Sequence, residues 1–447
     1  MRTLSYPNIV VTPPGPKAKK IVERDHAVIS PSFGRAYPLV IKSGQGCIIT
    51  DVDGNQFIDL NAGLAVLNVG HRHPRVIKAI KDQADKFLHY SYTDFYYDTY
   101  INLGEVLHDL IPGDFEKKFF YGNSGAESVE AAIKLSRWHS KRQGILAYIS
   151  SFHGRTMGAV SLTASKPVQR GRFSPLIPGV EHIFYPYCYR CPFNLEHPGC
   201  GFRCVSYIDE YLFHKFLPPD EVSMLLAEPI QGEGGYVVPP KGYFDALKDL
   251  LDEHGILLAM DEVQSGLGRT GKWFASDHFG VEPDIICIAK GIAAGLPLGV
   301  TASRADLMDW TPGSHASTFG GNPVSAAAAL EVINVIKEEK LIENANKVGG
   351  HLLKRLEEMK EDHPMIGDVR GRGLMVGVEL VKDKESKEPA KDETGEIMMR
   401  CFKKGAAIVN CGVSTIRWMP PLIITKELID SALEIFEECL GEVEKKA

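Results

Sequence analysis

Short apolar runs alternate with helical patterns between residues 75 and 338, and this alternation constrains the fold more than any other feature. The apolar runs are 117–121, 145–150, 222–227, 256–261 and 284–289. The helical patterns cover 75–88, 94–110, 125–142, 241–254 and 323–338. Strands that alternate with helices favour a mostly parallel sheet covered on both faces. The sequence therefore predicts an α/β large domain over residues 61–330.

The segments on either side of this region have different patterns. Residues 1–60 contain a proline-rich, charged arm and then a hairpin with Asp53-Gly54-Asn55 as its turn. After residue 338 the composition shifts to Lys and Glu. Strands near 373–380 and 407–409 are predicted there between helices near 340–361 and 426–444. We interpret residues 331–447 as a small α+β domain that residues 1–60 join.

Composition narrows the class of protein. The chain has 447 residues, of which 44% are hydrophobic and 24% charged, as in an ordinary globular protein of two or three domains. A net charge of −7 argues against nucleic acid as a partner. No apolar stretch reaches the length of a membrane span, and Met1–Pro7 contain no signal-like apolar core. We expect a cytoplasmic protein with no membrane partner.

An amine and a carboxylate close two consecutive predicted strands. Lys290 follows the run 284–289, and Asp261 ends the run 256–261. The carboxyl ends of parallel strands face the ligand crevice of such a sheet. A lysine there can form a Schiff base with an aldehyde cofactor, and a carboxylate can pair with a pyridinium nitrogen. This pair predicts pyridoxal 5′-phosphate (PLP) chemistry.

The turn after the run 117–121 has the composition of an anion site. Ser124, Gly125 and Ala126 lie between a strand and a helical pattern. The backbone N–H groups and the dipole of a helix N-terminus favour phosphate. The alternative is an ordinary N-cap at Ser124 with Glu127 as its capping-box partner. Because the turn belongs to a series of strand-end motifs, we favour the anion site.

Other predicted strand ends carry side chains suited to a flat cofactor and a carboxylate substrate. Phe152 can stack on a heterocycle, and Arg155, two residues after His153, can bind a carboxylate with its planar fork. Surface charges and helix-capping acids are the structural alternatives for these positions. The remaining candidates are Glu228, Glu233, Gln264, Thr318 and Arg417.

With these motifs in order, the chain resembles the class III aminotransferases, PLP enzymes of fold type I that include 4-aminobutyrate and ornithine aminotransferases. The resemblance extends from Asn61-Ala62-Gly63-Leu64 to Pro420-Pro421-Leu422. It implies a large domain with a mostly parallel sheet, and a smaller α+β domain from the N-terminal segment and the C-terminus. It also implies a homodimer with shared active sites.

The resemblance implies a role for each matching residue. Lys290 would bond to the cofactor and act as the catalytic base, and Asp261 would hold its ring nitrogen protonated. The other cofactor contacts would come from Ser124, Gly125, Ala126, Phe152, His153, Gln264 and, across the dimer, Thr318. Substrate contacts would come from Arg155, Glu228, Glu233, Arg417 and Leu64.

The resemblance leaves two activities open. The first is transfer of an amino group from an ω- or δ-amino acid to 2-oxoglutarate. Glu233 would then pair with Arg417 while an ω-amine is bound and release it for a 2-oxoacid, which favours this activity. The apolar segment around Leu64 resembles the 4-aminobutyrate type, because ornithine aminotransferases typically carry a tyrosine nearby. The second is amino-acid racemisation, which some relatives of the family catalyse.

Four cysteines form a cluster outside the family pattern. Cys188, Cys191, Cys200 and Cys204 have the spacing C-x2-C-x8-C-x3-C. Such pairs can bind structural zinc, although the middle spacing is shorter than is usual. Reduced thiols, or disulfides in a hyperthermophile, are the alternatives. We expect a structural segment without a metal.

Overall fold

The computed structural model describes residues 6–446. Residues 1–5, part of the segment in which no signal was found, lie outside the described residues. Close contacts divide the chain into two compact units. The first is formed by residues 1–74 and 343–447, and the second by residues 75–342. The predicted boundaries at 60 and 330 stay a prediction. Among the described residues, no helix is both long and apolar enough to cross a membrane.

The strands, numbered along the chain, are β1 Ile41–Gln45, β2 Ile48–Asp51, β3 Gln56–Asp59, β4 Lys117–Gly122, β5 Gly144–Tyr148, β6 Val180–Ile183, β7 Val222–Ala227, β8 Leu257–Asp261, β9 Ile285–Ile288, β10 Gly299–Arg304, β11 Ile366–Arg372, β12 Met375–Leu380, β13 Ala406–Ala407, β14 Val409–Cys411 and β15 Thr415–Trp418. The principal helices are Pro16–Val28, Pro74–Ala84, Asp98–Leu110, Gly125–Ser140, Met157–Leu162, Arg203–Tyr207, Tyr243–Glu253, Pro323–Glu338, Leu341–Asp362, Lys391–Lys404 and Lys426–Glu444. A π-helix, Ile208–Phe213, continues the short helix that begins at Arg203.

The large unit contains one seven-stranded sheet in the order β4-β10-β9-β8-β7-β5-β6. Only β10 is antiparallel to its neighbours. Strands β7 and β9 are buried along their whole length, as is typical of parallel strands with both faces covered. The helix Gly125–Ser140 contributes Val129, Ile133 and Leu135 to the core of this unit. The predicted α/β fold with a mostly parallel sheet is confirmed.

The small unit combines the two ends of the chain. Strands β1, β2 and β3 form the predicted hairpin region, and β13 pairs with β3 in parallel. The ring of Phe402 stacks on Phe57 and Tyr37. A second sheet has the order β11-β12-β15-β14 and is antiparallel throughout. The predicted α+β unit built from the N-terminal segment and the C-terminus is therefore confirmed.

The helix Pro16–Val28 differs from the expected irregular arm. Asp53, which is distant in the sequence, caps the first turn of this helix. The two carboxylate oxygens of Asp53 accept hydrogen bonds from the N–H groups of Lys17 and Ala18, each at 2.9 Å. Only Ala18 is buried, so the segment has little apolar periodicity. The cap comes from the hairpin turn and has no local sequence signal.

Candidate active site

The carboxyl ends of β4, β5, β7, β8 and β9 lie along one edge of the large unit's sheet. In the register of β8 and β9, Asp261 lies opposite Cys287, and Lys290 follows three residues later. Lys290 begins a short 3-10 turn with φ of 47°. A left-handed backbone is unusual for a lysine and is often found at functional sites. The parallel pairing thus brings the strand-end lysine and the strand-end aspartate to the same edge, as predicted.

Asp261 is buried and held on both oxygens. Its Oδ1 accepts a hydrogen bond from the N–H of Val263 at 3.0 Å. Its Oδ2 lies 2.7 Å from Nδ1 of His153, which donates because a carboxylate only accepts. The Asp261 residue is 5% exposed. A carboxylate so removed from water requires charged or hydrogen-bonded partners, so this position suits a protonated ring nitrogen.

His153 holds the side chain of Asp261 in its orientation through this hydrogen bond. The N–H of His153 donates to Oγ1 of Thr163 at 2.9 Å. Its Nε2 is buried without a hydrogen-bond partner among the described residues. The histidine was predicted to contact the cofactor, and that contact stays a prediction. Its hydrogen bond to Asp261 is typical of a residue that fixes the orientation of a functional carboxylate.

Glu228 links two of the loops at this edge. Its Oε1 accepts from the N–H of Phe152 at 3.0 Å, and its Oε2 accepts from the N–H of Gly232 at 2.7 Å. Burial raises the pKa of Glu228 to about 7, while His153 lowers it and Asp261 raises it. The residue is 6% exposed. These contacts give Glu228 a positioning role, and its predicted contact with substrate stays a prediction.

The turn after β4 contains the N-cap that the sequence suggested, and its anion site stays a prediction. Ser124 is the N-cap of the helix Gly125–Ser140, and its Oγ accepts from the N–H of Glu127 at 3.2 Å. The amides of Gly125 and Ala126 lie in the first turn, where the helix has no carbonyl of its own to offer them. A Cβ at Gly125 would lie 2.9 Å from a methyl group of Val263. The turn therefore presents backbone N–H groups as donors. It packs so closely against Val263 that position 125 requires glycine.

Gln264 is fixed with its amide group available. Its Oε1 accepts from the hydroxyl of Tyr236 at 2.8 Å, which leaves the NH2 group as donor. A Cβ at Gly232 would lie 2.3 Å from Nε2 of Gln264, so this side chain requires a glycine beside it. The arrangement suits the predicted hydrogen bond to a phenolic oxygen.

Arg155 is an exposed cation next to the predicted stacking ring. Its guanidinium carbon lies 5.3 Å from the centroid of Phe152. Phe152 itself is partly buried. Within residues 6–446, Arg155 has no ion pair. A guanidinium that stacks on a ring keeps its fork of donors free for a carboxylate.

Glu233 forms an ion pair with a residue that the sequence did not suggest. Its Oε1 accepts from Nζ of Lys166 at 2.6 Å. The side chain of Glu233 is 18% exposed and that of Lys166 is 37% exposed, so the pair contributes little stability, at most about 1 kcal/mol. The predicted pairing of Glu233 with Arg417 stays a prediction.

Thr318 lies on an exposed loop of the large unit. It precedes Phe319, which is 62% exposed, and the helix Pro323–Glu338. An exposed position is compatible with a contact to a second subunit, and that contact stays a prediction.

The small unit contains two predicted substrate residues. Arg417 is buried in β15, opposite Gly377 of β12 and Val409 of β14. Leu64 is 48% exposed and lies in the turn Ala62–Ala65, whose four residues all have positive φ, from 46° to 69°. Three of the four are not glycine, and each costs about 1–2 kcal/mol in this conformation.

The strained turn is anchored by one carboxylate. Oδ1 of Asp59 accepts from the N–H groups of Asn61 and Ala62, each at 2.9 Å. Oδ2 of Asp59 lies 2.7 Å from Nε2 of His71. Strain that the surrounding structure maintains is a reason to look for function, and it supports the candidate role of Leu64.

Comparisons with known proteins place this chain in a family. The model for the class-III aminotransferases matches residues 30–440. The chain is 44% identical to an alanine/serine racemase of Pyrococcus horikoshii, over 99% of this chain and 95% of that protein. It is 43% identical to a leucine/methionine racemase of Thermococcus litoralis, over 96% and 97%. It is 37% identical to the 4-aminobutyrate aminotransferase GabT of Escherichia coli, over 96% and 99%.

A solved structure agrees with the family and the fold. An amine transaminase from an uncultivated Pseudomonas species, in its PLP-bound form, superposes with a TM-score of 0.85 and 31% identity. The match covers 91% of this chain and 95% of that chain. The protein therefore belongs to the class III aminotransferases and has the fold-type-I architecture. Enzymes of this family depend on PLP, which confirms the predicted cofactor.

The residues present fit PLP. The first-turn amides after Ser124 suit a phosphate, the doubly held Asp261 suits a pyridinium nitrogen, and the amide of Gln264 suits a phenolic oxygen. When bound, PLP supplies an electron sink for the charge that develops on the substrate carbon. Residue by residue, these cofactor assignments remain our proposal.

Several residues at this edge were missed by the sequence analysis. Tyr236 orients Gln264, Thr163 holds the backbone of His153, and Lys166 pairs with Glu233. None of the three lies in a recognisable motif. The only local signal was the glycine-rich segment that precedes Tyr236, whose own φ is 54°.

Proposed function

We propose that the protein is an aminotransferase that moves an amino group from an ω- or δ-amino acid to 2-oxoglutarate by a ping-pong mechanism. The exposed guanidinium of Arg155 carries this proposal, because it supplies a cation for a carboxylate remote from the reacting amine. A substrate such as 4-aminobutyrate, 5-aminovalerate or 2-oxoglutarate has such a carboxylate. The apolar, exposed Leu64 favours the 4-aminobutyrate type over the ornithine type.

The proposed mechanism assigns one task to each residue. Nζ of Lys290 would take up and return the proton of the substrate carbon, as a positioned general base and acid. Asp261, held by His153 and Val263, keeps the ring nitrogen charged. Arg155 and Arg417 bind carboxylates, and bidentate contacts orient the reacting carbon. A 2-oxoacid then undergoes the same steps in reverse.

A donor panel tests the activity. The purified enzyme is incubated with 2-oxoglutarate and either 4-aminobutyrate, 5-aminovalerate, ornithine or an amine without a carboxylate, and glutamate is measured. We expect glutamate with 4-aminobutyrate and much less with the plain amine. No glutamate from any amino acid would refute the proposal.

The second candidate function is racemisation of an α-amino acid. Identities of 44% and 43% to two racemases, against 37% to an aminotransferase, support it. A racemase converts an L-amino acid into its D form without a 2-oxoacid and exchanges the α-hydrogen with solvent. L-alanine and L-leucine in deuterated water, with no 2-oxoacid, therefore separate the two candidates. Formation of the D form at rates equal to or above transamination would make racemisation the principal activity.

Single-turnover rates test the proposed switch between Glu233 and Arg417. Arg417→Ala should slow the half-reaction with 2-oxoglutarate much more than the half-reaction with 4-aminobutyrate. Equal losses in both would contradict the switch and favour a fixed site for an α-carboxylate.

We also propose a homodimer with shared active sites. The exposed segment that contains Thr318 and Phe319 supports it. Thr318→Asp should weaken PLP binding, because the added charge repels the phosphate. Mixing Thr318→Asp and Lys290→Ala subunits should restore activity, since one of the two shared sites then carries neither change. No recovery after subunit exchange would argue against shared sites.

A further inference from the structure

Four cysteines of the large unit line one small cavity. It lies in the segment between β6 and the helix Arg203–Tyr207 and has a volume of about 20 Å³. Its walls include Cys188, Cys191, Cys200 and Cys204, together with His197. A cavity of this size holds about one water-sized occupant. The two cysteine pairs, which are separated by eight residues in the sequence, therefore line a space about the size of one atom or water molecule.

The four cysteines lie near the surface. Cys191, Cys200 and Cys204 are partly buried, and Cys188 is exposed. A metal ion therefore has an entry path to the cavity.

The segment that contains the four cysteines has little regular secondary structure. Apart from the 3-10 turn Cys188–Arg190, it has no regular structure up to Arg203, and all four cysteines are free thiols. The ring of Phe193 packs on Phe184 and Tyr207. Within residues 6–446, no three His, Cys, Asp or Glu side chains are already grouped to hold a metal ion. A metal would have to draw the thiols inward.

We propose that Cys188, Cys191, Cys200 and Cys204 bind one structural zinc ion in this cavity. Four thiolates in tetrahedral geometry are a closed zinc site. Zinc displaces the thiol protons, so that binding and local ordering occur together. The proposal departs from the expectation of a metal-free segment, which stays untested, because both cysteine pairs line one cavity, a fact that the spacing alone did not reveal.

The proposed zinc would support the loop after β7. Tyr185, just before the cluster, donates its hydroxyl to the carbonyl oxygens of Glu228 and Pro229, at 2.9 and 3.1 Å. The ring of Phe202 lies 3.2 Å from where a Cβ of Gly242 would be. The cysteine segment thus packs against both ends of the region that includes Glu228 and Glu233.

Metal analysis of the purified holoenzyme, prepared without chelator, tests the proposal. We expect one zinc ion per chain. The double variant Cys191→Ser/Cys200→Ser should retain less than about a tenth of that zinc, while Cys411→Ala, outside the cluster, should retain all of it. Removal of zinc from the wild type by a chelator should lower the thermal midpoint and leave the visible absorption of bound PLP in place.

Replacement of zinc by cobalt provides a readout that needs no variant. Cobalt in a four-thiolate site should give intense sulfur-to-metal absorption. Substoichiometric zinc that added zinc salt does not raise, iron in place of zinc, retention of zinc by the double variant, or disulfides detected by intact mass would each overturn the proposal.

Discussion

Asp261 and Arg155 follow neighbouring parts of the same sheet, yet they are held very differently. Asp261 is buried, and both of its oxygens are hydrogen-bonded. Arg155 is exposed, and its guanidinium stacks on the ring of Phe152. The same contrast separates Gln264, which Tyr236 holds in place, from exposed Leu64. Asp261 and Gln264, which are assigned to the cofactor, are fixed before binding, whereas Arg155 and Leu64, which are assigned to substrate, are open to solvent and to change.

The contrast matters because catalysis and specificity have different requirements. A preorganised electrostatic environment has the same arrangement for every substrate. Substrate selection depends on a few contacts that can be exchanged without altering that environment. We therefore expect cofactor-side substitutions to reduce turnover with all substrates, and substrate-side substitutions to act selectively.

The largest effect is expected from Lys290→Ala. Loss of the amine removes both the bond to the cofactor and the proton-transfer group, so turnover should fall about ten-thousandfold or more. The visible absorption that reports the lysine–PLP bond should disappear. Steady-state rates and absorption spectra measure both effects. Turnover near that of the wild type would remove the basis for the central assignment.

Asp261→Asn is expected to retain PLP and lose most turnover. The neutral amide cannot hold the ring nitrogen protonated, and a loss of about 4 kcal/mol corresponds to about a thousandfold in rate. His153→Asn should have a smaller effect of the same kind, because it acts through Asp261. If Asp261→Asn stayed within about tenfold of the wild type, the buried carboxylate would not be required for the chemistry.

Arg155→Ala is expected to change specificity. A charge-assisted hydrogen bond contributes about 1.5–3 kcal/mol, so KM for 4-aminobutyrate or 2-oxoglutarate should rise about 10- to 100-fold. Turnover of a donor without a distal carboxylate should be unchanged. Arg172→Ala, another exposed arginine of the same unit, is the control. If Arg155→Ala reduced turnover equally for donors with and without a distal carboxylate, Arg155 would not act selectively. That result would contradict the contrast between cofactor residues and substrate residues.

The smallest effect concerns Glu228 and pH. The folded-state pKa of about 7 is above the usual value of 4.5, so the folded protein retains a proton that the unfolded chain releases. The resulting stability is present below the unfolded pKa and is lost as the pH rises through about 7. Glu228→Gln should remove this dependence. It should also lower the midpoint by about 1–3 °C, because the NH2 group of glutamine cannot accept a hydrogen bond from one of the two backbone N–H groups.

Thermal midpoints of the wild type and Glu228→Gln from pH 5 to pH 8 measure this effect. The difference between the two proteins should shrink as the pH rises. A constant difference across the range would mean that Glu228 does not titrate there.

The sequence predicted the elements of the large unit closely. The helix predicted at 323–338 and the strand predicted at 222–227 match the structure to the residue. The C-terminal helix was predicted at 426–444 and observed there as well. These elements are marked by apolar runs or by helical patterns between turn signals, and a local pattern is what sequence reveals best. Strands β6 and β10 and the helix Lys391–Lys404 were missed, because their sequences are short or strongly charged.

The order of the strands could not be predicted from the sequence. Strand β8 lies between β7 and β9, and β10 lies between β4 and β9. This order brings His153 to Asp261, 108 residues away, and Phe152 to Glu228, 76 residues away. No local pattern contains such contacts.

Local chemistry determined which residues can act in this protein: a lysine and an aspartate at strand ends, a small-residue turn before a helix, and four cysteines in two pairs. Those features depend on near neighbours in the chain and on apolar periodicity. Tertiary structure decided what each residue contacts. It brings Asp53 to the start of a helix that is distant in the sequence, and it brings both cysteine pairs to one cavity. The reason is physical, because a buried carboxylate or thiol derives its properties from groups that only the folded sheet brings within reach.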